Sequence, residues 1–331
     1  MYMVNNISSY YQSFSSADTK NFGKKKIVKT IYKFLQRNCI TPIVVRSENG
    51  GQGLPCGFAL LPNKLSTTYE LMIQAICAKV GKSPTTVICD FEQAMWRTLA
   101  KTAPEAERRG CQFHFRKAIL HKLGELGLKI FYNDCIEFNE LVHKFFALSY
   151  VPVQDVVQFY EEHFLSFMMD KLDSEKGDED WLDGQEFLED FIKYLERTWI
   201  GTSVPSRPGR SSSRRPPIFA HDIWNVHEAF LDEDPVITNN GLEAFNRTWN
   251  ASMGVKPNIW KVIQGFIDQE SETKRVLVSN AGGQDMTSNT GRKGHVQDMY
   301  EQISNIVRQY STLPKNEYIS LLAHKIIGHC H

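Results

Sequence analysis

Two carboxylates, Asp90 and Glu92, stand at the end of the apolar run Thr85-Thr86-Val87-Ile88-Cys89. A charge at the exit of a buried strand is costly to place, so such a position points to a task. A sheet holds an acid rigidly at the C-terminal edge of its strands, where open α/β sheets put their ligand sites. One carboxylate holds a divalent ion poorly. Mg²⁺ takes octahedral oxygen ligands, commonly one or two carboxylates with water and substrate phosphates. A second acid must therefore arrive from elsewhere. Glu92 is adjacent but points to the opposite side if the chain is helical there. Glu243, in the first turn of a helix between Leu242 and Phe245, is the candidate partner. Each acid also has a plain alternative: Asp90 as the N-cap of a helix starting at Phe91, and Glu243 as a dipole-stabilised surface residue.

Cys111-x-x-His114 offers two soft ligands, half of a zinc site. No second half stands at the usual spacing, and Cys89, His121 and Cys135 follow no pattern. A buried Cys and a His packed beside a carboxylate site is the better reading. The closing run His324, His329, Cys330, His331 has no structural pattern around it.

The elements that must position these groups follow from periodicity. Ile43-Val44-Val45 and Leu54 to Leu61 bracket the turn cluster Glu48 to Gly53, which predicts a β-hairpin over 42–61. Tyr69, Met72, Ile73, Ile76 and Val80 recur at helical spacing after a cap at Ser66 or Thr67. Residues 85–89 read as a strand, Phe91 to Ala100 as a helix, and Cys111 to Phe115 as a short strand entering a helix over 116–126. From about 130 to 200 every apolar pattern is helical, with an acidic surface from Asp170 to Asp190. Gly201 to Pro217 reads as a basic, Pro/Ser-rich loop. Helices follow after Asn239 or Asn240, with Leu242, Phe245 and Trp249 on one face. Pro257 starts another, with Ile259, Trp260, Val262, Ile263, Phe266 and Ile267. A second loop, Ala281 to His295, precedes a last helical stretch.

The 331 residues suffice for one large or two ordinary domains. Lys plus Arg equals Asp plus Glu, 38 each, so net charge exerts no pull toward nucleic acid; contact would need the local runs Lys20–Lys29 or Arg207–Arg215. Seven scattered cysteines suggest a reducing setting rather than a disulfide framework. The N-terminus lacks signal-peptide character, and no stretch approaches the roughly 20 apolar residues of a membrane span.

Taken together, the motifs resemble a family. Leu54-Pro55-Cys56-Gly57-Phe58-Ala59-Leu60-Leu61-Pro62-Asn63-Lys64 with Thr68-Tyr69 is similar to a stretch of Mutator-like element (MULE) transposases. Asp90-Phe91-Glu92, Gly110-Cys111-Gln112-Phe113-His114, Trp224-Asn225-Val226, Thr238-Asn239-Asn240-x-x-Glu243 and Pro257-Asn258-Ile259-Trp260 follow in that family's order. The resemblance implies an α/β, RNase H-like mixed sheet flanked by helices, with an all-helical insertion. It implies a DDE-type enzyme that cleaves and joins DNA with Mg²⁺ or Mn²⁺, zinc not being expected. It makes Asp90 the middle acid and Glu243 the last, both as metal ligands. Cys111 and His114 become a motif near the site. The partners would be transposon ends and target DNA, with a homo-oligomer conceivable, no membrane, and a nuclear location.

Two departures stand out. Asn246 occupies the position where the family often has His. More seriously, the family's first acid ends its first strand, yet the only acids between Met1 and Leu60 are Asp18 and Glu48. Asp18 has no apolar strand before it, and Glu48 lies in the hairpin turn. The first strand is therefore expected to be missing, leaving an unpaired sheet edge, and the function incomplete. The alternative is a catalytically inactive or domesticated derivative that binds DNA or protein. The expected divisions are a poorly patterned 1–38 with one helix near Lys25–Arg37, a first core part 39–128, a helical insertion with its basic loop 129–217, return helices 218–275 and a helical tail 276–331.

Overall fold

The computed structural model describes residues 2–4, 40–47, 50–173, 185–204, 213–231, 240–254, 257–281 and 290–327. The chain is α/β and mostly helical, with one five-stranded sheet and one small ribbon. It divides into two compact units. The first comprises Met1–Cys111 and Thr238–Asn289; the second comprises Gln112–Ile237 and Thr290–His331.

The sheet of the first unit is built from β1 (Tyr2–Val4), β2 (Ile40–Ser47), β3 (Gly50–Leu60), β4 (Thr86–Cys89) and β5 (Glu107–Gly110), in the order β3-β2-β1-β4-β5. The expected hairpin is present as β2 and β3, antiparallel from Ile40↔Leu60 to Ser47↔Gly50. β3 begins at Gly50, inside the predicted turn cluster, and Glu48 lies outside the described residues. Val44, Val45, Val87 and Ile88 are at most 1% exposed, as expected of central strands covered on both faces. The expected gap is filled. β1 lies between β2 and β4, paired with both, so the chain's own N-terminal residues supply a short central strand.

Both sheet edges are guarded against further pairing. β3 carries Pro55, which donates no ladder hydrogen bond. The Pro55 carbonyl accepts a 3.0 Å hydrogen bond from the buried Thr273 hydroxyl on the Ile259–Ala281 helix. β5 reads Glu-Arg-Arg-Gly, with Arg109 paired to Glu107 at 2.6 Å. Helices α1 (Ser66–Val80) and α2 (Gln93–Thr102) are tied together through Thr98, whose hydroxyl lies 3.1 Å from the Ser66 carbonyl, and through the Lys101–Glu70 pair.

The second unit opens with α3 (Gln112–Glu125) and is helical wherever the sequence pattern over 130–200 was helical. Residues 174–184 of the acidic surface lie outside the described residues. Its core is aromatic. Phe115 stacks on Trp224 at 5.0 Å and 7°, and meets Trp199 edge-on at 4.9 Å. The segment Trp224-Asn225-Val226 is docked by hydrogen bonds: Asn225 Nδ2 donates to Val151 O at 2.6 Å and Val226 N to Ser149 O at 2.7 Å. The Lys315–Ile327 helix belongs to this core too, with Tyr318 fully buried and its hydroxyl donating to the Tyr150 carbonyl at 2.6 Å.

Two predicted loops are shorter than their composition suggested. Gly201–Pro217 contains the antiparallel strands β6 (Thr202–Val204) and β7 (Ser213–Arg215), because Arg214 pairs with the exposed Glu161 and the half-buried Glu196, which anchor the ribbon. Ala281–His295 gives up both ends to helices, one running to Ala281 and the next starting at Thr290. The buried Ile303 and Val307 hold that second helix in place.

The buried edge of this unit titrates. His221 Nε2 lies 2.9 Å from the Ile200 carbonyl, and burial pulls its pKa below the usual 6.5; burial lowers His163 as well. Both rings therefore favour the neutral form when folded. Their contribution is complete above the unfolded pKa near 6.5 and is lost as pH falls through the lower folded values. The apparent Tm should drop by a few degrees between about pH 7.5 and about pH 5.5. His221→Gln should shrink that drop, as measured by thermal melts at both pH values.

Candidate active site

β4 is held on both sides. It pairs antiparallel with β1 and parallel with β5, and the Cys111 N–H donates to the Cys89 carbonyl at 3.0 Å just beyond the ladder. Asp90 follows immediately and is exposed, at the C-terminal end of the strand. Its carbonyl accepts two hydrogen bonds, from Glu92 N at 2.8 Å and from Trp96 Nε1 at 2.9 Å, which fix the turn that carries its side chain.

Asp90 is not a helix cap. Phe91 and Glu92 are non-helical, α2 starts at Gln93, and Glu92 occupies the N-cap position. The reason is visible in Glu92's side chain. Tyr69 donates its hydroxyl to Glu92 Oε1 at 3.0 Å, and Lys64 Nζ sits 3.2 Å from Oε2. Lys64 and Tyr69 belong to the Pro62-Asn63-Lys64…Thr68-Tyr69 stretch, and Asn63 explains more of it. Asn63 Oδ1 accepts from Leu65 N at 3.1 Å and from the Thr68 hydroxyl at 2.6 Å, which fixes the turn that leads into α1. The cap expected from Ser66 or Thr67 is not made: the N-cap is Leu65, with no side-chain cap hydrogen bond. Of the two acids at the strand end, Glu92 is engaged in positioning and Asp90 faces solvent.

The strand expected over Cys111–Phe115 is absent. β5 ends at Gly110 and the chain is helical from Gln112, because Phe115 and Gln112 are buried in the second unit's core. Cys111 closes the first unit, fully buried behind Cys89. His114 lies half-buried in the first turn of α3, beside the Phe113 ring at 5.4 Å. Burial pushes the Cys89 thiol well above its ordinary pKa and the Cys56 thiol up to about 12, so neither is a thiolate near neutral pH. Among the described residues, no group of three or more His, Cys, Asp or Glu side chains is arranged to hold a metal ion.

Glu243 lies in the helix Asn240–Met253, and its side chain is outside the described ones. The helix itself is anchored. Phe245 and Trp249 pack on Phe58 of β3 at 5.9 and 5.0 Å, and Trp249 stacks on Phe266 at 5.3 Å. Gly265 makes room, since a Cβ there would lie 3.0 Å from the Trp249 ring. Trp260 and Ile267, read as part of the next helix's apolar face, are exposed instead, while Val262 is buried. The strand registers align Phe58 with Pro42, and carry Pro42 level with Asp90 across the β1 position. The Glu243 helix is therefore anchored at the Asp90 end of the sheet, on a strand three spacings away, about 14 Å.

Among the described residues, β1 brings no first acid to that end. Tyr2 pairs with Ile88 and Val4 with Thr86, so β1 runs toward the Thr86 end, away from Asp90. Asp18 lies outside the described residues. The hold of Lys64 and Tyr69 on Glu92 is not legible in the sequence, because 28 and 23 residues separate them from it. Among the described residues no helix is long and apolar enough to cross a membrane.

Glu92→Ala should cost about 1 kcal/mol, since it removes a charged hydrogen-bond acceptor from Tyr69 and a mostly exposed ion pair. Urea unfolding of wild type, Glu92→Ala and Tyr69→Phe checks this, with Tyr69→Phe accounting for the larger share.

Neither the curated proteins nor the solved structures contain a match to this chain. Residues 30–118, which include β2 to β5 and the first half of α3, match the family model of the MULE transposase domain.

Proposed function

We propose that the first unit is an RNase H-like, DDE-type transposase core that cleaves and joins DNA strands in the nucleus. The observation that carries this reading is Asp90: an exposed acid fixed at the C-terminal end of a central strand, inside the segment that matches the MULE domain. The strand order β3-β2-β1-β4-β5 and the Glu243 helix anchored at the same sheet end support it.

The family's divalent ion suits oxygen donors. Asp90 and Glu243 would hold Mg²⁺ or Mn²⁺, with water and substrate phosphate oxygens completing the shell. Such an ion, when bound, lowers the pKa of an attacking water or 3′-hydroxyl and polarises the phosphodiester. The chain's own contribution is positional. The two hydrogen bonds to the Asp90 carbonyl hold the turn, and Lys64 with Tyr69 keeps Glu92 in its cap role.

A second reading has its own observation. β1 runs antiparallel to β4, so it brings no acid to Asp90, and two carboxylates without a third bind metal weakly. On this reading the chain is a transposase-derived protein that binds DNA without cutting it. Oligo-duplex cleavage and strand-transfer assays in Mg²⁺ and in Mn²⁺ separate the two. The enzyme reading expects product from wild type and a loss of about a hundredfold or more in Asp90→Ala and in Glu243→Ala, the scale of removing one electrostatic stabiliser. Intact DNA binding with no product in either metal establishes the second reading instead.

A further inference from the structure

The chain is neutral overall, but its charge is not evenly spread. Residues 197–221 carry five arginines, Arg197, Arg207, Arg210, Arg214 and Arg215, and not one Asp, Glu or Lys. The β6–β7 ribbon lies within this stretch. Its pairing, Thr202↔Arg215, Ser203↔Arg214 and Val204↔Ser213, sorts the side chains onto two faces.

One face is used internally. Arg214 is mostly buried, with Nη2 2.7 Å from Glu161 Oε1 and Nη1 3.0 Å from Glu196 Oε1, and its guanidinium lies over the Tyr160 ring at 5.7 Å. The two acids open two π-helical turns, Glu161–Leu165 and Glu196–Ile200, so one arginine pins the ribbon to both. Gly201 permits the close approach. Its φ is 105°, and a Cβ there would lie 2.7 Å from the Arg215 carbonyl.

The other face presents Arg215, Thr202 and Ser213, all exposed, and Arg197 is exposed on the adjoining π-helical turn. Among the described residues neither Arg197 nor Arg215 makes an ion pair. Arg215 beside the Thr202 and Ser213 hydroxyls, with the exposed Arg197 on the turn that leads into β6, offers guanidinium and hydroxyl donors of the kind that pair with the phosphodiester backbone of nucleic acid. A rigid two-stranded ribbon is also a shape that duplex DNA accommodates.

We infer that the outer face of the β6–β7 ribbon, Arg215 with Thr202 and Ser213, together with the exposed Arg197, is a sequence-independent contact surface for the DNA backbone. This rests on DNA being the partner of the transposase reading, but not on catalysis.

The test is fluorescence anisotropy of the full-length chain with a duplex of about 30 base pairs and arbitrary sequence, across a KCl series. Each lost phosphate contact lowers the slope of log K against log salt by about 0.9. Arg197→Ala/Arg215→Ala should weaken binding on the order of tenfold and reduce the slope by about 2, with an unchanged thermal melt. An unchanged slope in the arginine pair overturns the inference, as does a wild type that does not bind the duplex. A lower slope in a protein that never cuts DNA keeps the inference and removes only the enzyme reading. Cleavage by wild type with an unaffected slope does the reverse.

Discussion

The first unit depends on how β4 is flanked. This strand has only four residues, and three of them are buried. It keeps its place through two ladders of opposite sense, antiparallel to β1 and parallel to β5. The Asp90 turn is an extension of that arrangement, since the Cys111 N–H continues the β4–β5 pairing to the Cys89 carbonyl one residue before Asp90. Without β5 the strand end would lose its last partner. Without β1 the buried backbone of β2 and β4 would have unpaired donors and acceptors at the sheet centre, where each costs roughly a hydrogen bond. Three residues therefore carry a role out of proportion to their number.

The sense of β1 bears directly on chemistry. A strand delivers a residue to a given sheet edge only if it runs toward that edge. Filling the central position with Tyr2–Val4 satisfies the backbone in either direction, because parallel and antiparallel ladders both pair the same groups. It does not satisfy a requirement for an acid beside Asp90, because the direction decides which end that acid would reach. Hydrogen bonding and the proposed metal site would impose different demands on one short strand, and this strand meets the first of them.

Much of the first unit was legible in the sequence. The β2–β3 hairpin, β4 and the two helices after them follow from alternation and 3.6-residue periodicity, signals that local apolar patterns carry. The places where reading failed share a cause. Lys64 and Tyr69 holding Glu92, and Arg214 folding a Ser/Pro/Arg stretch into a ribbon, are made by partners distant in sequence. The Cys111–Phe115 strand failed differently. Its alternation of apolar and polar residues is real, but Phe115 and Gln112 are buried by Trp224 and its neighbours, more than a hundred residues on. Tertiary packing overrode local pattern there. Of the proposed site, Asp90 is suggested by its strand end alone. Glu243 could not, since a first-turn Glu is ordinary on any helix; it gained meaning only from motif order.

That difference explains why the motif stretch around α1 is more than a marker. Lys64 and Tyr69 hold Glu92, two residues beyond Asp90. Holding Glu92 fixes the N-cap of α2, and α2 supplies Trp96, whose indole N–H reaches back to the Asp90 carbonyl. A surface ion pair contributes little by itself, but here it is one link in a closed loop of contacts running from α1 through Glu92 and Trp96 to the strand end. Rigid placement of an acid requires such a loop, because a carboxylate on a free turn would lose the orientation that a metal ion or phosphate demands. The sequence spacing Lys64, Tyr69, Asp90, Glu92, Trp96 is best understood as the imprint of that positional constraint.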